Sequence, residues 1–176
     1  TGKVGVCGKN ADVAALQDKL TGELIGLVRV TGDVVPTGNI LKLIIEGLFT
    51  TLTNVSFNEQ TLNELIEKVR AERERLVPQC FACASPCGTN NEYDLSHIWT
   101  DNEDIRSLKS LILFGIRGMA AYAYHAMVLG YTNDEVSHFF VKALFALGED
   151  WEMDKLLPIV MELGKVNLVC MEMLDK

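Results

Sequence analysis

With 176 residues, the chain is long enough for one domain with a real core, or two small helical sub-bundles packed together, and short for two independent domains. A composition that is 48% hydrophobic and 23% charged excludes a disordered chain. The net charge of -8 repels phosphate backbones and anionic lipid, so no nucleic-acid or membrane partner is expected, and solubility is the simpler reading of that charge.

Thr1 opens the sequence without an initiator Met and without a charged-then-apolar leader, which predicts no secretory signal and a chain trimmed at its front. Five cysteines, an odd number, then favour thiols or metal ligands in a reducing compartment over a disulfide framework, and the expected location is the cytoplasm. Cys7 stands just before the first predicted helix, where the helix dipole lowers a thiol pKa and helps a thiolate bind metal.

That helix is expected from about Asn10 to Val30, with Asn10 as cap and Val13, Leu16, Leu20, Leu24 and Leu27 on one face. Thr31-Gly32-Asp33 breaks it, and Pro36 leads into a second helix from about Thr37 to Thr53, patterned by Ile40, Leu43, Ile44, Leu48 and Leu52. Ser56 and Glu59 have capping-box spacing ahead of a third helix that ends near Leu76. Its Ala71 to Arg75 stretch reads as a solvated face.

Residues Gln79 to Thr100 carry Cys80, Cys83, Pro86, Cys87, Gly88 and Asn90-Asn91 with no helical period, and predict one long loop. Soft thiolates at the spacing Cys80-x2-Cys83-x3-Cys87 can wrap around zinc or part of an iron–sulfur cluster, but three are one short. Cys7, Cys170 and His97 are the donors of the right kind elsewhere. Free thiols are the alternative.

From about Asn102 to Leu129 the pattern predicts the longest helix, crowded with Gly115, Gly118, Ala120, Ala121, Ala123 and Ala126, which let another backbone approach. Leu111 to Gly130 has spanning length, but Arg117 and His125 are costly at a bilayer centre, so it reads as a core helix closed by Gly130. Thr132 and Glu135 repeat the capping-box spacing before a further amphipathic helix ended by Gly148. The tail from Trp151 to Asp175 reads as one or two helices, with a break or kink expected at Pro158 or Gly164.

The fold class is therefore all-α: one helical domain over 1–176, with a sub-bundle over about 1–78, a Cys-containing loop over about 79–101 and a second sub-bundle over about 102–176. Cys170 falls in an apolar pattern and reads as a small buried residue, and His125 and His138 as core or boundary histidines. No Ser/His/Asp spacing, Walker loop or GxGxxG is present, so no catalytic residue is assigned.

Four stretches, taken together, carry a resemblance: Val6-Cys7-Gly8-Lys9 through Leu16-Gln17-Asp18; Phe49 to Val55; Leu113-Phe114-Gly115-Ile116-Arg117-Gly118 through Ala121-Tyr122 and His125-Ala126; and Glu162 to Asn167. The chain resembles, along essentially its whole length, the N-terminal helical domain of the hybrid-cluster proteins, also called hydroxylamine reductases or prismane proteins. The resemblance implies a cytoplasmic iron–sulfur oxidoreductase that reduces hydroxylamine to ammonia, with nitric oxide chemistry also proposed for the family, and an electron-donor protein as partner.

It further implies that Cys7 is the fourth cysteine of a motif holding a 4Fe-4S cubane cluster, whose first three cysteines would precede Thr1. The hybrid iron–sulfur–oxygen cluster, where the reaction occurs, would be held by two later α/β domains of the same polypeptide. Those domains are the expected partners of an apolar face left exposed here. Cys80, Cys83 and Cys87 are outside the family motif. The related helical domain of carbon monoxide dehydrogenases keeps a second redox family in view, and a non-catalytic helical module with a zinc or free-thiol cysteine loop is the alternative of a different class.

Overall fold

A computed structural model describes residues 8–32, 36, 38–76 and 93–175. Among them are seven helices and no strand: α1 (Ala11–Thr31), α2 (Gly38–Thr50), α3 (Glu59–Leu76), α4 (Ser96–Thr100), α5 (Glu103–Val128), α6 (Asp134–Gly148) and α7 (Met153–Glu172). The all-helical expectation holds.

Local chemistry sets most of the helix ends. Asn10 caps α1 by accepting a hydrogen bond from the Val13 backbone N–H at 2.7 Å, and Asn102 caps α5 by accepting from Ile105 at 3.0 Å. At the other end of α5, Gly130 adopts φ 88°, its N–H donating to Met127 O at 3.0 Å while Tyr131 N–H donates to Ala126 O at 2.9 Å. That pair of bonds satisfies two carbonyls that the helix end leaves open, and the left-handed turn suits glycine.

Both capping-box readings are corrected by one or two residues. Asn58 caps α3, accepting from Gln60 and Thr61 backbone N–H at 2.9 and 3.2 Å, while the Ser56 carbonyl accepts from Gln17 Nε2 at 3.1 Å. Asn133, not Thr132, caps α6 by accepting from Val136 N–H at 3.1 Å. In each case an asparagine nearer the helix offers its side-chain oxygen to the same orphan donors.

The packing is built on two helix pairs, with α2 and α6 bridging them. α1 lies along α3 with α2 beside them, and α5 lies along α7 with α6 beside them. Contacts of α2 with α5 and of α1 with α6 join the two groups around one continuous core running from Val13 to Met173. Gly148 of α6 permits the second of these contacts, since a Cβ there would meet Ile25 Cγ2 at 2.7 Å. α1 is accordingly buried on more than one stripe: Thr21, Gly22, Glu23, Ile25 and Gly26 are buried along with Leu20, Leu24 and Leu27, while Leu16 is half-buried.

Four further expectations are revised. α7 runs unbroken through Pro158 and Gly164; Pro158 lies in its second turn, where it removes a single backbone bond, and Leu156, Ile159, Val166 and Cys170 hold the helix against its neighbours. The loop expected to end near 101 folds at its close into the short α4, because Leu95 and Ile98 are buried. Arg73, placed by its charge on a solvated face, is buried against Glu23 of α1. His125 and His138 are exposed, His125 lying edge-on to Phe49 and Tyr124 and His138 Nδ1 2.5 Å from Asp134 O.

Candidate functional site

Cys7, Cys80, Cys83 and Cys87, the residues singled out as metal ligands, lie outside the described residues. Cys170 is inside them, fully buried on α7, with Sγ donating to Met119 O of α5 at 3.6 Å. Burial pushes its thiol up to about 11, which leaves it protonated and inert. Among the described residues no three His, Cys, Asp or Glu side chains converge as a metal site, so they supply no ligand set for a cluster.

What they do supply is a polar cluster over the first turns of α1, the helix that follows Cys7. Lys9 Nζ donates to Gln17 Oε1 at 2.8 Å, and Gln17 in turn donates to the Ser56 carbonyl. Arg117 reaches from α5 to donate, through Nη2, to Thr21 Oγ1 at 2.7 Å, while that hydroxyl donates to Gln17 O at 2.9 Å. The Arg117 Nε is buried without a hydrogen-bond partner among the described residues.

Asp18 shares this neighbourhood. Desolvation by the surrounding protein raises the carboxyl pKa above the ordinary 3.8 although the side chain keeps an exposed edge, and the positive charges of Arg117 and Lys9 oppose the rise without cancelling it. Desolvation also pulls the Arg117 guanidinium down, with Asp18 opposing. A cavity of about 650 Å³ opens beside Asp18, bounded by Ala15 and Lys19 of α1 and by Tyr93, Asp94 and Trp99. Burial pushes the Tyr93 phenol up to about 12, so it is a neutral hydrogen-bonding group there.

Lys9, Gln17, Asp18 and Arg117 fall in two of the stretches that carry the family resemblance, but nothing in the sequence brings them together. Asp18 and Arg117 are far apart in the chain, and apart from that resemblance the sequence signal for Arg117 was a charge inside an otherwise apolar helix.

The second feature is an apolar face. One stripe of α5 exposes Leu111, Phe114, Tyr122 and Leu129, residues that 100° per residue brings to one side, and Trp99 of α4 tilts onto Phe114 with ring centroids 6.3 Å apart. α7, packed along α5, exposes Leu157, Met161 and Leu168. Phe114, Met161 and Leu168 are each about 60% exposed (58%, 63% and 61%), a large apolar surface among the described residues. By length and composition α5 is also apolar enough to cross a membrane, but its opposite side is core, with Ile112, Leu113, Ile116 and Ala120 fully buried.

The sequence matches the Prismane/CO dehydrogenase family over residues 1–176. It is 36% identical to the hydroxylamine reductase of Methanocaldococcus jannaschii, across 98% of this chain and 35% of that protein. It is 34% identical to the hydroxylamine reductase of Methanococcus vannielii, across 99% of this chain and 36% of that protein. The hydroxylamine reductase of Maridesulfovibrio salexigens is 33% identical, across 97% of this chain and 35% of that protein. The chain thus spans about a third of the length of the relatives it matches.

Proposed function

The chain belongs to the Prismane/CO dehydrogenase family, and on that premise we propose that it serves as the N-terminal helical portion of a cytoplasmic iron–sulfur oxidoreductase that reduces hydroxylamine to ammonia. In this reading Cys7 is one ligand of a 4Fe-4S relay cluster fed by an electron-donor protein. The hybrid cluster that meets hydroxylamine, or nitric oxide, is held by α/β domains of the same polypeptide. The clusters supply the electron transfer.

The helices do the positioning. α1 follows Cys7 in the sequence, and the Arg117 to Thr21 hydrogen bond ties that helix to α5, which bears the apolar face. The observation that carries the reading is that face: α5 and α7 expose large apolar side chains in a chain that matches hydroxylamine reductases over nearly all its own length but about a third of theirs. A surface of this kind is stabilised by covering it with further protein.

The test is complementation. The chain alone, given hydroxylamine and a reduced dye, is expected to form no ammonia. Co-expressed with the remaining two thirds of the Methanocaldococcus jannaschii relative, it is expected to co-purify and restore turnover. Phe114→Lys with Leu168→Lys should abolish that association while leaving the helical circular-dichroism spectrum intact. Turnover by the chain alone, or co-purification indifferent to both charges, would sink the proposal. Iron and acid-labile sulfide measured after oxygen-free purification report separately on Cys80, Cys83 and Cys87.

A further inference from the structure

Away from that face, α2, α5 and α6 close around a cavity of about 190 Å³. Its walls are Leu41 and Ile45 of α2, Ala123 and Met127 of α5, Val136 of α6, and Met173 just past α7. Four of these six are buried by the fold, Ala123 and Val136 to 2% exposure, so the walls are fixed by the core.

Part of the polar lining is already engaged. Ser137 Oγ donates to Asn133 O at 2.8 Å, and the Asn133 side chain is taken by the α6 cap. Tyr131 and Thr132 add two hydroxyl-bearing side chains, and Lys42 is the only charged residue in the described lining, with no carboxylate among the described residues paired with it. In a chain with 24 acidic and 16 basic residues, the single charge lining this pocket is positive, while Glu46 and Glu72 border the groove on the other side of Lys42.

We propose that this cavity binds a small amphipathic carboxylate, seating an apolar body among Ile45, Met127 and Val136 and its anionic end on Lys42. The volume sets the size of the body. A dry apolar cavity of about 150 Å³ accommodates benzene, and drug-sized sites start near 300 Å³, so one aromatic ring or a hexyl chain is what fits. The apolar walls provide most of the affinity, and the exposed Lys42 ammonium at the rim provides selectivity for the anion over its neutral analogue.

The chain has six methionines, two of which line the cavity, so carbon-13-labelled methionine methyls report directly on occupancy. Benzoate titrated into the whole chain is expected to shift the Met127 and Met173 methyls saturably, with a Kd on the order of 1 mM from about nine heavy atoms. Benzyl alcohol should bind about 3-fold more weakly. Lys42→Ala should remove that difference by weakening benzoate alone, and Ala123→Leu, which fills the cavity, should abolish both.

Three results would overturn the proposal. One is no saturable shift up to about 10 mM benzoate. Another is equal binding of acid and alcohol by the wild type. The third is benzoate binding that disappears once the rest of a hydroxylamine reductase is bound, which would make the cavity a socket for a protein side chain.

Discussion

Arg73 of α3 reaches across the first helical group to Glu23 of α1, Nη1 to Oε2 at 2.5 Å, and the Glu23 side chain is fully buried. Arg70, one turn earlier, takes the other oxygen at 2.6 Å. A buried carboxylate held by two guanidinium groups fixes the register of α1 on α3. Glu23→Gln leaves the buried Arg73 without its counter-ion and is expected to cost about 3–5 kcal/mol, read from the urea midpoint. Glu23→Leu with Arg73→Met should recover most of that loss, because apolar groups of similar volume need no counter-charge.

The two corrected caps give a sharp contrast. Asn58→Ala and Asn133→Ala should each cost about 1 kcal/mol, since each leaves backbone N–H groups of a helix start without an acceptor. Ser56→Ala and Thr132→Ala should fall within about 0.5 kcal/mol of wild type. Thermal melts of the four variants decide it, and the reverse ranking would restore the capping boxes.

Asp18 makes stability fall with rising pH over one window. Its folded pKa lies above the unfolded 3.8, chiefly through desolvation, so the folded state binds the proton more tightly. The contribution is fully present below pH 3.8 and is lost as pH rises through the folded value. Asp18→Asn should therefore flatten this part of the stability–pH profile and be at least as stable as wild type at pH 7. A steeper profile, measured by urea denaturation across that range, would contradict the assignment.

Cys170 should resist alkylation in the folded chain. Its thiol is buried and pushed up to about 11, so almost no thiolate is present at pH 8 and none is accessible. Iodoacetamide followed by peptide mass mapping should leave the Cys170 peptide unmodified until denaturant is added. Labelling at the rate of a free peptide thiol would mean that α7 opens from α5.

Gly22 and Gly118 separate a packing glycine from a spare one. A Cβ on Gly22 would run into the Tyr93 carbonyl, whereas one on Gly118 meets nothing within 4 Å. Gly22→Ala should cost about 1–3 kcal/mol through overpacking. Gly118→Ala, on an exposed turn of α5, should gain up to about 1 kcal/mol from helix propensity. Denaturant midpoints of both variants check the pair.

The sequence by itself determined the helical class, the run of the long helices and three of their ends, because these depend on interactions within a few residues. The 3–4 spacing of Leu20, Leu24 and Leu27, the Asn10 cap, the helix start at Asn102 and the Gly130 turn are all local chemistry. The family resemblance was legible for the same reason, being carried by contiguous stretches.

Only the tertiary structure decided what the charged and borderline residues do. Arg73 looks solvated until α1 brings Glu23 to it, and Arg117 has no evident role until α5 is laid against Thr21. Leu95 and Ile98 form a helical turn because the core receives them, and α7 passes Pro158 because its neighbours hold it. In each case the deciding partner lies far away in the chain, and a desolvated charge or a packed surface takes its meaning from what the fold puts beside it.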